Sequence, residues 1–141
     1  MPDMFLDKFR GLVPKYLNRE WSKDDGIRIP ELDGELSRHD FDVPLVLREF
    51  LHCVGSSELM EVYNFFWDPD ELEIDDGFLL FLEDEEETTV WGFRVEDLDV
   101  PDPIVWRRNA DGRWESEEGT FSEFVFDQFE WVFTEEDEAE K

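Results

Sequence analysis

The chain has 141 residues, of which 40 are Asp or Glu and 13 are Lys or Arg, for a formal net charge of -27. It is also 40% hydrophobic and 16% aromatic, which excludes a disordered acidic tail, because such tails lack the apolar side chains to fill a core. A folded surface this negative repels nucleic acid and anionic membrane, and attracts a basic protein at long range.

From Asp3 to Leu17, the residues Met4, Phe5, Phe9, Leu12, Val13 and Tyr16 recur at helical spacing, with Pro14 bending or splitting the helix. Residues 18–42 are polar, carry Gly26, Pro30 and Gly34, and read mostly as loop. A firm helix follows. Asp42 is placed to cap it, Pro44 sits in its first turn, and Leu47, Phe50, Leu51 and Val54 form a buried stripe. Gly55 ends it at the position that favours a left-handed residue.

Past Gly55 the pattern turns to strands. Gly77 to Leu82 is continuously apolar, Thr88 to Val95 is β-branched and aromatic, and Ile104–Arg107 and Arg113–Ser116 are shorter versions. Asn109 to Gly112 reads as the hairpin turn between the last two. With both faces apolar, Phe78–Leu82 is expected to be central and covered on both sides. A final helix opens at Thr120, with Glu123 completing a capping box. Phe121, Phe124, Val125, Phe129 and Val132 make one apolar face, Phe126 and Phe133 lie off it, and Trp131 lies near the opposite side. Such a helix is buried on two sides or offers a contact surface. Residues 134–141 read as a frayed, disordered acidic tail.

The charge is concentrated rather than spread. No basic residue falls between Arg48 and Arg94, while Asp68, Asp70, Glu71, Glu73, Asp75 and Asp76 accumulate, followed by Glu83, Asp84, Glu85, Glu86 and Glu87. A globule of this mass exposes roughly 7,700 Å², or about one net charge per 285 Å². A DNA duplex carries about one per 100 Å², so the average surface is too dilute to imitate it and only local clusters count. Trp67, flanked by Asp68 and Asp70, has the make-up of an anchor for a basic partner. Surplus Asp and Glu also follow from adaptation to high salt, and composition leaves that origin open beside a functional one.

Catalytic and metal chemistry find no support. His52 and Cys53 are adjacent, and neighbouring helical residues point about 100° apart. His39 and His52 lack zinc-ligand spacing, and in the run from Asp68 to Gly77 the glycine is not where a calcium loop needs it. No cofactor and no catalytic residue is expected. The single cysteine fits a reducing compartment, no start resembling a signal peptide is present, and no apolar run nears the roughly 20 residues of a membrane span. The expectation is one cytoplasmic domain over 1–141 with neither nucleic acid nor membrane as partner.

Val43-Pro44 leading through Leu51 to Gly55 resembles the proline–helix–glycine signature of the SUKH superfamily. Gly77–Phe81 and Val90-Trp91-Gly92-Phe93 resemble its paired central strands. Asp102-Pro103-Ile104-Val105, then Trp114, then Phe121–Phe124 are similar to its aspartate-proline strand and closing helix. The likeness covers residues 40–133, and it departs from many relatives at Glu85-Glu86-Glu87-Thr88, where they carry a more neutral polar segment. It implies an α+β fold with a mostly antiparallel central sheet of about four to six strands, and helices packed near the N-terminus, after residue 42 and at the C-terminus. It also implies fold-specifying roles for Pro44, Gly55, Gly77, Trp91, Gly92, Asp102 and Pro103. Many relatives are immunity proteins that neutralise toxin domains, often nucleases, and others are regulatory scaffolds. The leading expectation is therefore a non-enzymatic immunity protein that binds a basic toxin domain, with Trp67, Asp68, Asp70, Glu71, Asp75, Asp76 and Glu83 to Glu87 as the contact. The alternative is an intracellular scaffold domain that binds an endogenous protein.

Overall fold

In a computed structural model of the chain, which describes residues 6–61, 65–84 and 88–139 (backbone alone for Leu6 and 132–139), the N-terminal apolar repeat forms two helices. These are α1 (Leu6–Arg10) and α2 (Leu12–Leu17), and they bury Phe9, Leu12 and Val13. The break at Gly11 has a direct cause: Pro14 has no N–H to give the Arg10 carbonyl one turn back.

Residues 18–42 are more ordered than the sequence pattern indicates. Ser22 caps a short 3-10 turn, Lys23–Asp25, and the Asp25 carboxylate returns to accept the Ser22 amide at 2.9 Å. Asp25 is 5% exposed and receives the Arg19 guanidinium at 2.6 and 2.9 Å, while Arg19 also reaches Glu58 at 2.7 Å. Helix α3 (Ile29–Leu36) follows. Its two apparent breakers are harmless: Pro30 lies in the first turn, where no N–H is needed, and Gly34 has open space around it.

Helix α4 (Leu45–Val54) buries Val46, Leu47, Phe50, Leu51, Cys53 and Val54. Its N-cap is Pro44 rather than Asp42, and the Pro44 carbonyl accepts the Leu47 and Arg48 amides at 3.1 and 3.2 Å. Gly55 does close the helix, but with right-handed angles (φ -64°, ψ -12°) rather than the expected left-handed ones. A glycine is required there by space: a Cβ would lie 2.4 Å from the Leu51 carbonyl oxygen and 2.9 Å from Ile27 Cδ1.

Among the described residues six strands form one antiparallel sheet, so the α+β fold with helices at both ends holds. They are β1 (Phe65–Phe66), β2 (Glu73–Asp75), β3 (Phe78–Glu83), β4 (Val90–Arg94), β5 (Ile104–Arg108) and β6 (Trp114–Thr120), ordered β1-β3-β4-β5-β6 with β2 also paired to β3. The short β1 and fully exposed β2 carry no apolar alternation, which is why pattern reading passes over them. β3 has partners along both edges, but a register shift between Leu80 and Leu82 changes how it is buried. Leu79, Phe81 and Leu82 all enter the core, while Leu80 shares the opposite face with its register partner Gly92 and with Trp106, which pairs with Gly92 in turn. That second face is closed by aromatics of the sheet itself: Phe78 stacks on Trp114 at 3.7 Å, and Arg94 lies over Trp106 at 4.1 Å. Gly92 lets β3 approach, because a Cβ there would sit 2.7 Å from the Leu79 carbonyl oxygen.

Strand β6 runs straight into α5 (Phe121–Ala139). The start of α5 is tied down by two residues from the turn before β5. Asp102 accepts the Ser122 amide at 3.1 Å and its hydroxyl at 2.6 Å, and the Pro103 carbonyl accepts the Phe121 amide at 3.0 Å. Glu123 supplies the returning half of the expected capping box, accepting the Thr120 amide at 3.1 Å. Phe121 then sits among Phe50, Phe81 and Phe93 at ring distances of 5.4, 5.2 and 5.6 Å. On the other side Phe126 stacks on Phe9 at 5.8 Å, so α5 packs on the sheet and on α1 together. The helical backbone continues to Ala139, past the point where a disordered tail is expected. Among the described residues no helix is long and apolar enough to cross a membrane.

Candidate functional site

The acids singled out by the sequence separate into different roles. Asp68 and Asp70 follow β1 and meet Glu31 and Glu35 of α3 around a cleft of about 200 Å³. His39 holds this loop by donating from Nε2 to the Pro69 carbonyl at 2.8 Å, with its ring stacked on Phe41 at 4.7 Å. The Glu71 carboxylate closes the turn by accepting the Asp68 amide at 3.0 Å. Partial burial, and then the neighbouring Asp70 and Glu31, raise the Glu35 carboxyl above its ordinary range. Although much of Asp68 is exposed, its carboxyl rises for the same reasons: burial first, then Glu71 and Asp70. Like charges are thus held together at a cost to the fold.

Asp75 and Asp76 are instead engaged within the molecule. Asp75 pairs with Arg108 at 3.1 Å, and Asp76 accepts the Trp114 indole N–H at 2.9 Å. Glu83 ends β3 opposite Val90, half-buried. Asp84 folds the next loop on itself, accepting the Thr88 amide and hydroxyl at 2.8 Å each and the Thr89 amide at 3.1 Å. Burial opposes the charge on Asp84, yet these donors hold its carboxyl below the usual range. Glu85, Glu86 and Glu87 lie outside the described residues. Trp67 is half-buried and packed against the core, with its amide donating to Phe81 at 2.8 Å, so it is not a freely displayed anchor.

A second acidic site escapes the reading of charge runs. Where β6 turns into α5, Glu117 and Glu118 face Glu123 and Asp127 across a groove of about 350 Å³ that Phe124 and Trp131 also line. Glu117 is fixed by the Trp91 indole and by Arg107, each at 3.0 Å, and Arg107 also reaches Glu115 at 2.8 Å. Glu123 is held at Thr120, whose amide and hydroxyl keep its carboxyl below the ordinary range. Among the described residues no ion pair or side-chain hydrogen bond engages the carboxylates of Glu118 and Asp127. Trp131 beside them is 51% exposed. The sequence signal was present, since Glu123, Asp127 and Trp131 recur every four residues, which is one stripe of a helix.

Carboxylates around an aromatic face suit a guanidinium or ammonium group, through charge-assisted hydrogen bonds and a cation–π contact. Among the described residues no group of three or more His, Cys, Asp or Glu is arranged to hold a metal ion. The Cys53 thiol is fully buried, and that burial pushes its pKa up to about 11, so it stays protonated near neutrality. The His52 ring is occupied by the Ile27 carbonyl at 2.8 Å from Nδ1. Comparison with protein-family models, with curated proteins and with solved structures gives no match to this chain.

Proposed function

We propose that the chain is a SUKH-like immunity protein that binds a basic toxin domain, a nuclease being the foremost class, and blocks its active surface. The observation that carries this reading is the β6–α5 groove, where the unengaged carboxylates of Glu118 and Asp127 lie beside an exposed Trp131. A lysine or arginine of the toxin enters the groove, and Trp131 supplies the apolar contact that excludes water from the pair. The net charge of -27 and the acid cleft at Asp68 and Asp70 draw the basic partner in before contact. The order of the proline–helix–glycine, Trp-Gly and Asp-Pro motifs supports the family half of the reading.

Co-expression tests it. The basic C-terminal domain of a secreted protein encoded beside this gene is produced with the wild-type chain or with the double variant Glu118→Lys, Asp127→Lys. Survival with the wild type and death with the variant are expected. Equal survival with both removes the groove from the interface. A gene neighbourhood that encodes no such domain moves the reading to a scaffold for an endogenous protein.

A further inference from the structure

One cleft on this acidic molecule is cationic. It encloses about 510 Å³ between the end of α1, the Lys23–Asp25 turn, the start of α3 and α4. Arg10, Lys23 and Arg28 line it together with Trp21 and His52, and among the described residues no carboxylate does. On a chain with 40 acids and 13 bases, three cations lining one cleft run against the composition of the whole surface. Asp25 is held by Arg19, and the fully exposed Asp7 pairs with Arg10 at 3.6 Å, so the positive charge left for a ligand is that of Lys23 and Arg28. Among the described residues Lys23 and Arg28 form no ion pair.

Two further features give the cleft a ligand class. Its wall includes the N-terminus of the eight-residue α3, where Arg28 is the N-cap residue and no side chain caps the helix. Pro30 offers no N–H there, so the helix contributes chiefly the positive end of its dipole, which favours an anion. The cleft also has an apolar side, formed by Ile27, Ile29 and the Trp21 ring. That ring is fixed, because its indole N–H donates to the Cys53 carbonyl at 2.7 Å and Arg10 covers it at 5.1 Å. The volume lies within the roughly 300–1,000 Å³ of small-molecule pockets.

We propose that this cleft binds a small organic phosphate carrying a flat ring, the chemistry of a nucleotide. Lys23, Arg28 and the start of α3 take the phosphate, and Trp21 with the isoleucines takes the ring. The site is separate from the β6–α5 groove and does not rest on the toxin-binding reading.

Titration of the full chain with ADP, and separately with inorganic phosphate, tests it by calorimetry. Saturable ADP binding is expected with a dissociation constant below about 1 mM, at least about tenfold tighter than inorganic phosphate. Lys23→Ala with Arg28→Ala should weaken it by about tenfold or more at an unchanged melting temperature, since both side chains are exposed. No saturation by ADP overturns the proposal, as does binding that the double variant leaves intact. Equal affinity for ADP and inorganic phosphate overturns the part assigned to the ring.

Discussion

The Asp76 carboxylate accepts the Trp114 indole N–H at 2.9 Å, joining the β2–β3 turn to β6 across 38 residues of sequence. Asp75 beside it pairs with Arg108, and Arg108 lies over the Trp114 ring at 5.5 Å. Two acids that look like surface charge therefore pin the aromatic outer face of the sheet. Asp76→Ala is expected to cost about 1 kcal/mol through loss of a partly exposed hydrogen bond, while leaving partner affinity unchanged. The midpoint of urea unfolding, read at constant slope, checks the first half. A variant with unaltered stability and weakened binding would return Asp76 to the interface.

Glycine substitutions divide sharply by what surrounds them. A Cβ at Gly26 would lie 1.7 Å from the His52 carbonyl oxygen, a backbone atom that cannot turn aside, whereas Gly34 has nothing within 4 Å. Gly26→Ala should destabilise by about 3 kcal/mol or prevent folding. Gly34→Ala, inside α3, should stabilise by about 0.5–1 kcal/mol. Thermal melting of the two variants beside the wild type decides, and the order is expected to be Gly34→Ala, wild type, Gly26→Ala.

The cap at the start of α5 depends on a residue outside that helix. Asp102→Ala removes the acceptor for both donors of Ser122 and should cost about 1–2 kcal/mol, the range for loss of a helix cap. Asp102→Asn keeps an acceptor and should cost less. Equal losses in the two variants would mean that the charge, not the hydrogen bonds, does the stabilising.

Stability is expected to pass through a maximum on the acid side of neutrality. The Arg19 guanidinium, against a smaller opposing effect of burial, holds Asp25 below its ordinary range, so the unfolded chain binds that proton more readily. This contribution is complete above the unfolded carboxylate value near ~3.9 and is lost as pH falls through the lower folded value. Glu35 and Asp68 act with the opposite sign, because their raised folded values make the native state bind protons more readily. Lowering pH from neutrality through those values relieves the crowded cleft, and the urea midpoint should rise before it falls. Glu35→Gln with Asp68→Asn should flatten the rise. An unchanged rise in the double variant would assign it to the net charge as a whole.

Element type was legible wherever one period persisted: the stripe of α4, the apolar run of β3 and the aromatic face of α5 all follow from spacing. Two things were hidden. Pro30 and Gly34 normally break helices, and nothing local shows that one falls in a first turn and the other faces open space. β2 lacks alternation, although Asp76-Gly77, with φ of 57° and 80°, is the dipeptide expected of a tight hairpin turn and marks the strand. At the candidate site, charge runs drew attention to acids that the fold engages internally, such as Asp75, Asp76 and Asp84. The β6–α5 groove draws its acids from two elements, and only the strand-to-helix corner brings Glu118 to Asp127.

The rate of association with a candidate basic toxin domain is the most direct test of the proposed capture by the acidic groove. It should fall steeply as salt rises from about 0.05 M to about 0.5 M, over which screening of exposed charge shortens from beyond about 10 Å to well below it. Dissociation should change little with salt but quicken at least about tenfold in the Glu118→Lys, Asp127→Lys variant. A salt-independent association rate, or a dissociation rate that the variant leaves unchanged, would contradict the account.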